Sequence, residues 1–406
     1  MHLRHRLTQL GGGLPRTFWL LWIGTFINRL GGFVVPFLTL YLTGQRGMSV
    51  SQAALMVSLF GVGSFGAGLL GGELADRLGR RPVLLLSFLL SPVNLILLGL
   101  ARSAALIAPL ILVQGLLTNL YRPAVNAVVA DLVPQEDRPR AYGYIYWSIN
   151  LGFAVAPALA GWLAHLDYLL LFVGDAMTTF VFGLIVLWWV AETRPPAQSS
   201  AATPTARARV AGLLAEPLLL AFSAIGVLFG TVYMQGNVTL PLAMRSDGLG
   251  PAQYGLAISV NGILIVLLGL PASNLAAKWP RFGAMAGAGA LLGVGYGLNA
   301  LADNLPLYAI SVGVWTLGEI VGALVAPAIV ADLSPPDKRG LYQGVYSAAW
   351  GLSSFVGPAS GGWVLETFGP ITLWLGCLAI GLMVAGGSLF LARPAAARLQ
   401  AGPPSG

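Results

Sequence analysis

Charged side chains are scarce in this sequence. Asp, Glu, Lys and Arg make up 9% of its 406 residues, against about 25% in a soluble domain. So little charge cannot clothe a large water-facing surface. Cysteine is nearly absent. The single Cys377 lies inside an apolar run, which excludes an intrachain disulfide and a thiolate metal cluster. Histidine is almost as rare: His2 and His5 fall in the N-terminal tail, and His165 stands beside Asp167 in a short polar break. No grouping of His, Cys and Asp suggests a catalytic dyad or a metal, so neither an enzyme nor any cofactor is expected. A Gly-Lys-Ser/Thr phosphate loop is also missing, which argues against ATP-driven work. No polar segment is long enough to be a soluble sensor domain.

What remains is 56% hydrophobic. Windows such as Val83–Leu100, Leu170–Val190 and Leu373–Leu391 are almost free of charge. A run of about 18 or more apolar residues can cross a bilayer core of roughly 30 Å. Breaks at Gly, Pro, Arg and Asp predict twelve spans: 17–43, 51–74, 82–101, 104–130, 141–163, 168–191, 217–243, 252–277, 282–301, 305–331, 341–364 and 370–393. The first is too long, and too closely followed by others, to be a cleaved signal peptide.

The net charge of +7 reflects loops between spans and does not point to nucleic acid. With the N-terminus inside, seventeen Lys and Arg residues fall on cytoplasmic segments. Arg46, Arg102 and Arg245 fall outside, and Arg29 and Arg122 within spans. This bias fixes the orientation and puts both termini in the cytoplasm, as in a multi-pass protein of a bacterial inner membrane. The one long polar stretch, 192–216, with Pro195, Pro196, Pro204, Arg207 and Arg209, reads as a linker. It separates a bundle over 1–191 from a second over 217–393, with a tail at 394–406. The halves repeat at an offset of 201. Asp131–Trp162 aligns without gaps to Asp332–Trp363 with eleven identities, among them Asp131/Asp332, Pro157/Pro358 and Trp162/Trp363. Pro36 and Pro241 stand at similar depth in the first and seventh spans. Parallel repeats of this kind enclose a site between two bundles near the midplane.

Between the second and third spans the chain reads Gly72-Glu73-Leu74-Ala75-Asp76-Arg77-Leu78-Gly79-Arg80-Arg81. This resembles the signature loop of the major facilitator superfamily, and with twelve spans and the repeat the resemblance covers nearly the whole chain. It implies an all-α fold of two pseudo-symmetric six-helix bundles and a loop that latches the halves. In that loop Gly72 would permit close packing, Gly79 a tight turn, and Asp76 with Arg77, Arg80 and Arg81 the charge-assisted contacts. The equivalent stretch, Asn274 to Arg281, lacks the acid. The fifth span carries Gly152-Phe153-Ala154-Val155-Ala156-Pro157-Ala158-Leu159-Ala160-Gly161, similar to the antiporter motif of drug:proton exporters. Its core, Gly152, Ala156, Pro157 and Gly161, can equally serve helix packing, and Gly357-Pro358 with Gly361-Gly362 repeats it in the eleventh span. In the fourth span Gln114-Gly115 fits another exporter motif, but Ile111 stands where that motif has arginine.

A charge at mid-bilayer costs about 2.5–3.5 kcal/mol, so Arg29, Arg122, Glu319 and Asp175 ask for explanation. By the resemblance, the first, fourth, seventh and tenth spans line a cavity. Trp22, Phe26, Arg29, Asn119, Arg122, Tyr233, Gln235, Asn237 and Trp315 are its candidate lining. Glu319 is the candidate proton carrier, since a carboxyl can take up and release a proton as the bundles move. Asp175 is a second candidate, though its peripheral helix favours a structural role. Asp131 and Asp332 read as loop anchors. The expectation is a monomeric, proton-coupled exporter of small amphipathic compounds. The alternative is uptake or exchange of a small anion held by Arg29 and Arg122.

Overall fold

The structure, a computed structural model, describes residues 13–134, 137–193, 216–276, 279–335 and 339–401. Most of the expected linker, residues 194–215, and the end of the tail lie outside the described residues, as do Arg4, Arg6, His2 and His5. Among those described, every regular element is helical. They are α1 (Arg16–Leu30), α2 (Val34–Gln45), α3 (Val50–Leu78), α4 (Arg80–Leu100), α5 (Ala104–Leu132), α6 (Arg138–Leu166) and α7 (Leu169–Trp189). Then follow α8 (Pro217–Tyr233), α9 (Gln235–Val238), α10 (Leu240–Ser246), α11 (Pro251–Ala276), α12 (Arg281–Leu298), α13 (Leu305–Leu333) and α14 (Arg339–Ala401).

Eleven helical runs among the described residues are long and apolar enough to cross a membrane. The last, Tyr342–Ala397, has 56 residues. At 1.5 Å per residue it would reach about 84 Å, far more than one crossing needs. It contains the expected eleventh and twelfth spans, and the chain between them leaves helical geometry at Gly369 (φ 82°, ψ 174°), just before Pro370. A side chain is strained at such a φ, and proline cannot continue the hydrogen-bond ladder.

Polarity is distributed as a bilayer requires. On α4, Leu86, Leu90, Val93, Leu97 and Leu100 form an exposed apolar stripe at helical spacing. The opposite face buries Ser87, Ser91 and Asn94. Asn94 donates to the Gln114 side chain at 2.8 Å, and Gln114 donates to Ser91 at 2.7 Å and to Thr118 at 2.9 Å. The glutamine of the exporter-like motif is thus spent joining α4 to α5. Ile111, in the arginine position, is fully buried.

Two compact units result. One comprises Met1–Val35 with Val62–Gln198, the other Pro36–Gly61 with Ser199–Gly406. In the first, α1 packs on α6 and α7, and α4 on α5 and α7. Phe88 and Phe182 meet at its core with ring centroids 4.0 Å apart. In the second, α12 packs on α13 and α14, α8 on α14, and α11 on α13.

The first and seventh spans, expected as continuous helices, are interrupted. The first stops at Leu30 and resumes at Val34 after Gly31-Gly32-Phe33. The seventh runs through three helices, α8, α9 and α10. Pro36 and Pro241 follow the breaks in the first turns of α2 and α10, where a missing N–H does no harm. Backbone groups left over at a break need other partners. In the second unit two tyrosines supply them: Tyr296 donates to the Tyr233 carbonyl and Tyr254 to the Gly236 carbonyl, each at 3.0 Å.

Candidate functional site

In the first unit the intramembrane charges gather around the break between α1 and α2. Arg29 lies in the last turn of α1, and its guanidinium donates to the Tyr121 hydroxyl at 2.6 Å. Arg122 reaches the same hydroxyl. The two arginines singled out in the sequence therefore converge on a tyrosine of α5 that sequence reasoning passed over. Arg29 Nε is buried and has no hydrogen-bond partner among the described residues. Gly152 explains how α1 comes so near α6. A Cβ there would lie 2.7 Å from Arg29 Cβ and 2.9 Å from the backbone of Arg29 and Leu30. The first glycine of the antiporter-like motif thus seats the helix end that carries Arg29. Ala156, Pro157 and Gly161 are buried further along α6.

Asp175 faces the same break from α7. Its Oδ2 accepts the Val34 amide at 3.3 Å, and the Phe33 amide also reaches the carboxylate. Thr179 donates to its Oδ1 at 3.4 Å, and Asn28 donates to Thr179 at 2.8 Å. One short network thus ties α7 to the end of α1 and the start of α2. A carboxylate at a helix N-terminus satisfies orphan amides and complements the helix dipole, so the geometry gives Asp175 a capping duty.

Aromatic rings continue up the face of α1. Trp22 stacks on Phe26 (6.0 Å, 15°) and on Trp147 of α6 (6.3 Å, 20°), and its indole donates to the Tyr144 carbonyl at 2.9 Å. Asn119 is committed elsewhere: its amide donates to Ser64 at 2.8 Å and to the Gly115 carbonyl at 3.0 Å, joining α3 to α5.

In the second unit Glu319 lies half-buried in the middle of α13. Asn261 of α11 donates to its Oε2 at 2.5 Å and to Thr316 at 3.0 Å. Tyr233 also hydrogen-bonds the carboxyl. Trp315, one turn before Glu319, is buried, stacks on Tyr296 (5.4 Å, 16°) and meets Tyr233 edge-on at 6.2 Å. Trp350 of α14 meets Tyr233 at 5.7 Å. The structure therefore brings Glu319, Tyr233 and Trp315 together and adds Asn261, Tyr296 and Trp350. Asn261 carried a signal, as a lone amide in the apolar run 255–270, but it lies on the eighth span, outside the four expected to line the cavity.

Gln235 departs from its expected role. Its amide donates to the Thr231 and Gly357 carbonyls at 2.8 and 2.9 Å, and its oxygen accepts from Thr239 at 2.9 Å. It is 2% exposed; its NH2 ties the broken span to α14 through Gly357, while Thr231 and Thr239 engage it across the break itself. A Cβ at Gly361 would overlap its oxygen at 2.0 Å, so this copy of the motif makes room for an amide. Asn237 lies half-buried in the one-turn helix α9.

The signature loop is held within the first unit. Gly79 has φ 109° and starts α4, as a tight turn requires. Glu192 accepts the Arg80 and Arg81 amides at 3.0 and 3.1 Å, capping α4 from the end of the unit. The Arg80 guanidinium bridges Asp76 and Asp131, each at 3.2 Å. Thr193 adds a bond to Asp131 at 3.1 Å. Arg77 pairs with Glu73 at 2.6 Å and Arg81 donates to the Leu187 carbonyl at 2.6 Å. Close packing does not account for Gly72, because a Cβ there would meet nothing within 4 Å.

A family model described as Major Facilitator Superfamily matches residues 21–242 and 236–405. The uncharacterized MFS-type transporter YttB of Bacillus subtilis (strain 168) is 28% identical over 91% of this chain and 94% of its own. A Na(+), Li(+), K(+)/H(+) antiporter of Planococcus maritimus is 22% identical over 86% and 88%. The multidrug resistance protein MdtH of Aeromonas salmonicida (strain A449) is 24% identical over 85% and 86%. Among solved structures, a POT family transporter in complex with a thioalcohol-conjugated peptide superposes with a TM-score of 0.80. It covers 94% of this chain and 97% of its own at 14% identity, a likeness of fold alone.

Proposed function

The chain belongs to the Major Facilitator Superfamily of membrane transporters, and on that premise we propose that it exports small amphipathic compounds in exchange for protons by alternating access. We read it as a monomer of twelve spans with both ends in the cytoplasm of a bacterial cell, embedded in the inner membrane. The break at Gly369 supports counting the last helical run as two spans.

The observation that carries the reading is Glu319. Its carboxyl lies in mid-span, and the partners recorded for it, Asn261 and Tyr233, are neutral. Neutral partners let the same pair of oxygens hold either a charge or a proton, which a coupling group needs. Trp315, Tyr296, Tyr233 and Trp350 surround it with flat apolar surface suited to tolerant recognition. The relatives named for multidrug resistance and for proton exchange point the same way, as does the motif glycine Gly152. The test is drug-driven proton movement in proteoliposomes, read with a pH-sensitive dye across a compound library. Wild type should couple the two fluxes and Glu319→Gln should not. Intact coupling in the variant removes Glu319 from the mechanism.

A second reading, uptake or exchange of a small anion, draws on Arg29 and Arg122 converging on Tyr121, with Arg29 Nε left without a partner among the described residues. It requires charge-dependent uptake of small carboxylates that is lost in Arg29→Ala.

A further inference from the structure

Hydrogen-bond direction around Glu319 can be traced from one end. Thr316 is fully buried, and its hydroxyl donates to the Val312 carbonyl at 2.6 Å. A hydroxyl has one proton, so toward Asn261 the Thr316 oxygen can act only as an acceptor. Asn261 must therefore present its NH2 group to Thr316. That same NH2 faces Glu319 Oε2 at 2.5 Å. The amide orientation is thus fixed by the network. Oε2 is held as an acceptor. Asn261 is 1% exposed, so water cannot easily replace it.

We propose that Asn261 is a positioning residue for proton coupling: oriented by Thr316, it fixes the Glu319 carboxyl in one rotamer and sets, together with it, the pH at which transport is half maximal. The inference rests on the reading of Glu319 as the proton carrier. The other titratable groups recorded around the carboxyl are Tyr233 from α8, which bonds it, and Tyr296 from α12, which faces it. Tyr254 of α11 and Cys377 of α14 act in turn on Tyr296. A donor to a carboxylate stabilises its charged form. Without that donor, the carboxyl keeps its proton to higher pH and the transport profile moves with it.

The experiment is proton-coupled exchange by the full-length protein in proteoliposomes, measured as a function of pH. Asn261→Leu, close in size but without a donor, should move the half-maximal pH upward by about one to two units. Thr316→Val frees the amide to turn over and should move it the same way by less. It also serves as the second variant should Asn261→Leu fail to fold. Asn94→Leu, a buried asparagine in the first unit, is the control for a merely structural loss and should lower the rate without moving the profile. If Glu319→Gln loses its pH dependence while Asn261→Leu and Thr316→Val keep the wild-type midpoint, Asn261 has no positioning role and Glu319 stands. If Glu319→Gln itself keeps the wild-type profile, both ideas fall together.

Discussion

Arg281 binds Asp332 at 2.8 Å, and 201 residues earlier Arg80 binds Asp131 at 3.2 Å. The offset is the one at which the sequence repeats, so the halves share a side-chain contact as well as residue types. The copies differ in setting. The side chains of Arg80 and Asp131 are 11% and 17% exposed, against 44% and 36% for Arg281 and Asp332. The first copy also carries Asp76, Thr193 and the loop carbonyl of Ala75.

That difference predicts unequal costs. Exposed ion pairs contribute about 0–1 kcal/mol, whereas a donor left buried without its partner costs about 1–3 kcal/mol. Asp131→Ala, which removes the acceptor of both Arg80 Nε and Thr193, should lower the melting temperature of the purified protein clearly, and Asp332→Ala hardly at all. Equal effects would mean that solvent screens both pairs alike.

Gly152 gives a second prediction. A larger residue must displace the backbone at Arg29 and Leu30, and overpacking of this kind costs about 1–3 kcal/mol. Gly152→Val should therefore abolish transport in protein that still reaches the membrane. Gly143, where a Cβ would meet nothing within 4 Å, should accept alanine with transport unchanged.

Asp175 and Glu319 should separate on substitution. Asp175→Asn keeps one oxygen for the Val34 amide and turns its NH2 toward the Thr179 hydroxyl, which can accept as well as donate, so its transport should retain the wild-type pH dependence. Asp175→Leu removes the cap and should destabilise the protein by about 1–2 kcal/mol, measured by thermal unfolding in detergent. A flattened pH profile in Asp175→Asn would instead make it a coupling group.

Gly361→Ala should be costly, because its new methyl and the Gln235 oxygen cannot occupy the same place. Shrinking the amide ought to relieve it. The pair Gly361→Ala with Gln235→Ser should lose less stability than the sum of the single changes, a coupling of roughly 0.5–3 kcal/mol. Simple additivity would show that the two residues do not interact.

The all-helical, membrane-spanning character of this molecule was legible in its sequence. Hydropathy depends on composition over about twenty residues, which single positions cannot disguise. The signature loop depends on a run whose residue types have few other uses. The site was legible only in part. Arg29, Glu319 and Trp315 stood out because charge and indole are conspicuous in apolar runs. Tyr121 and Asn261 did not, since a tyrosine or an amide in a span is unremarkable until its partner from another helix is known. Gln235 and Asn119 misled for the same reason: polarity marks a side chain that must find a partner, and it does not say whether that partner is substrate or backbone. The interruptions in the first and seventh spans were signalled by Gly31-Gly32 and by Pro36 and Pro241. Apolar flanks on both sides made each run read as one helix.

The division into compact units has a consequence for dissecting the protein. Residues 36–61 belong with the second unit, so the polypeptide passes from one to the other after Val35, again after Gly61, and once more beyond 198. Severing the chain near residue 200 therefore yields pieces that are each incomplete. The leading fragment keeps a stretch whose neighbours were left behind, and the trailing fragment has an unfilled groove where that stretch belonged. Neither should mature alone, yet the two made together in one cell should reassemble, because every lost contact can be recovered between them.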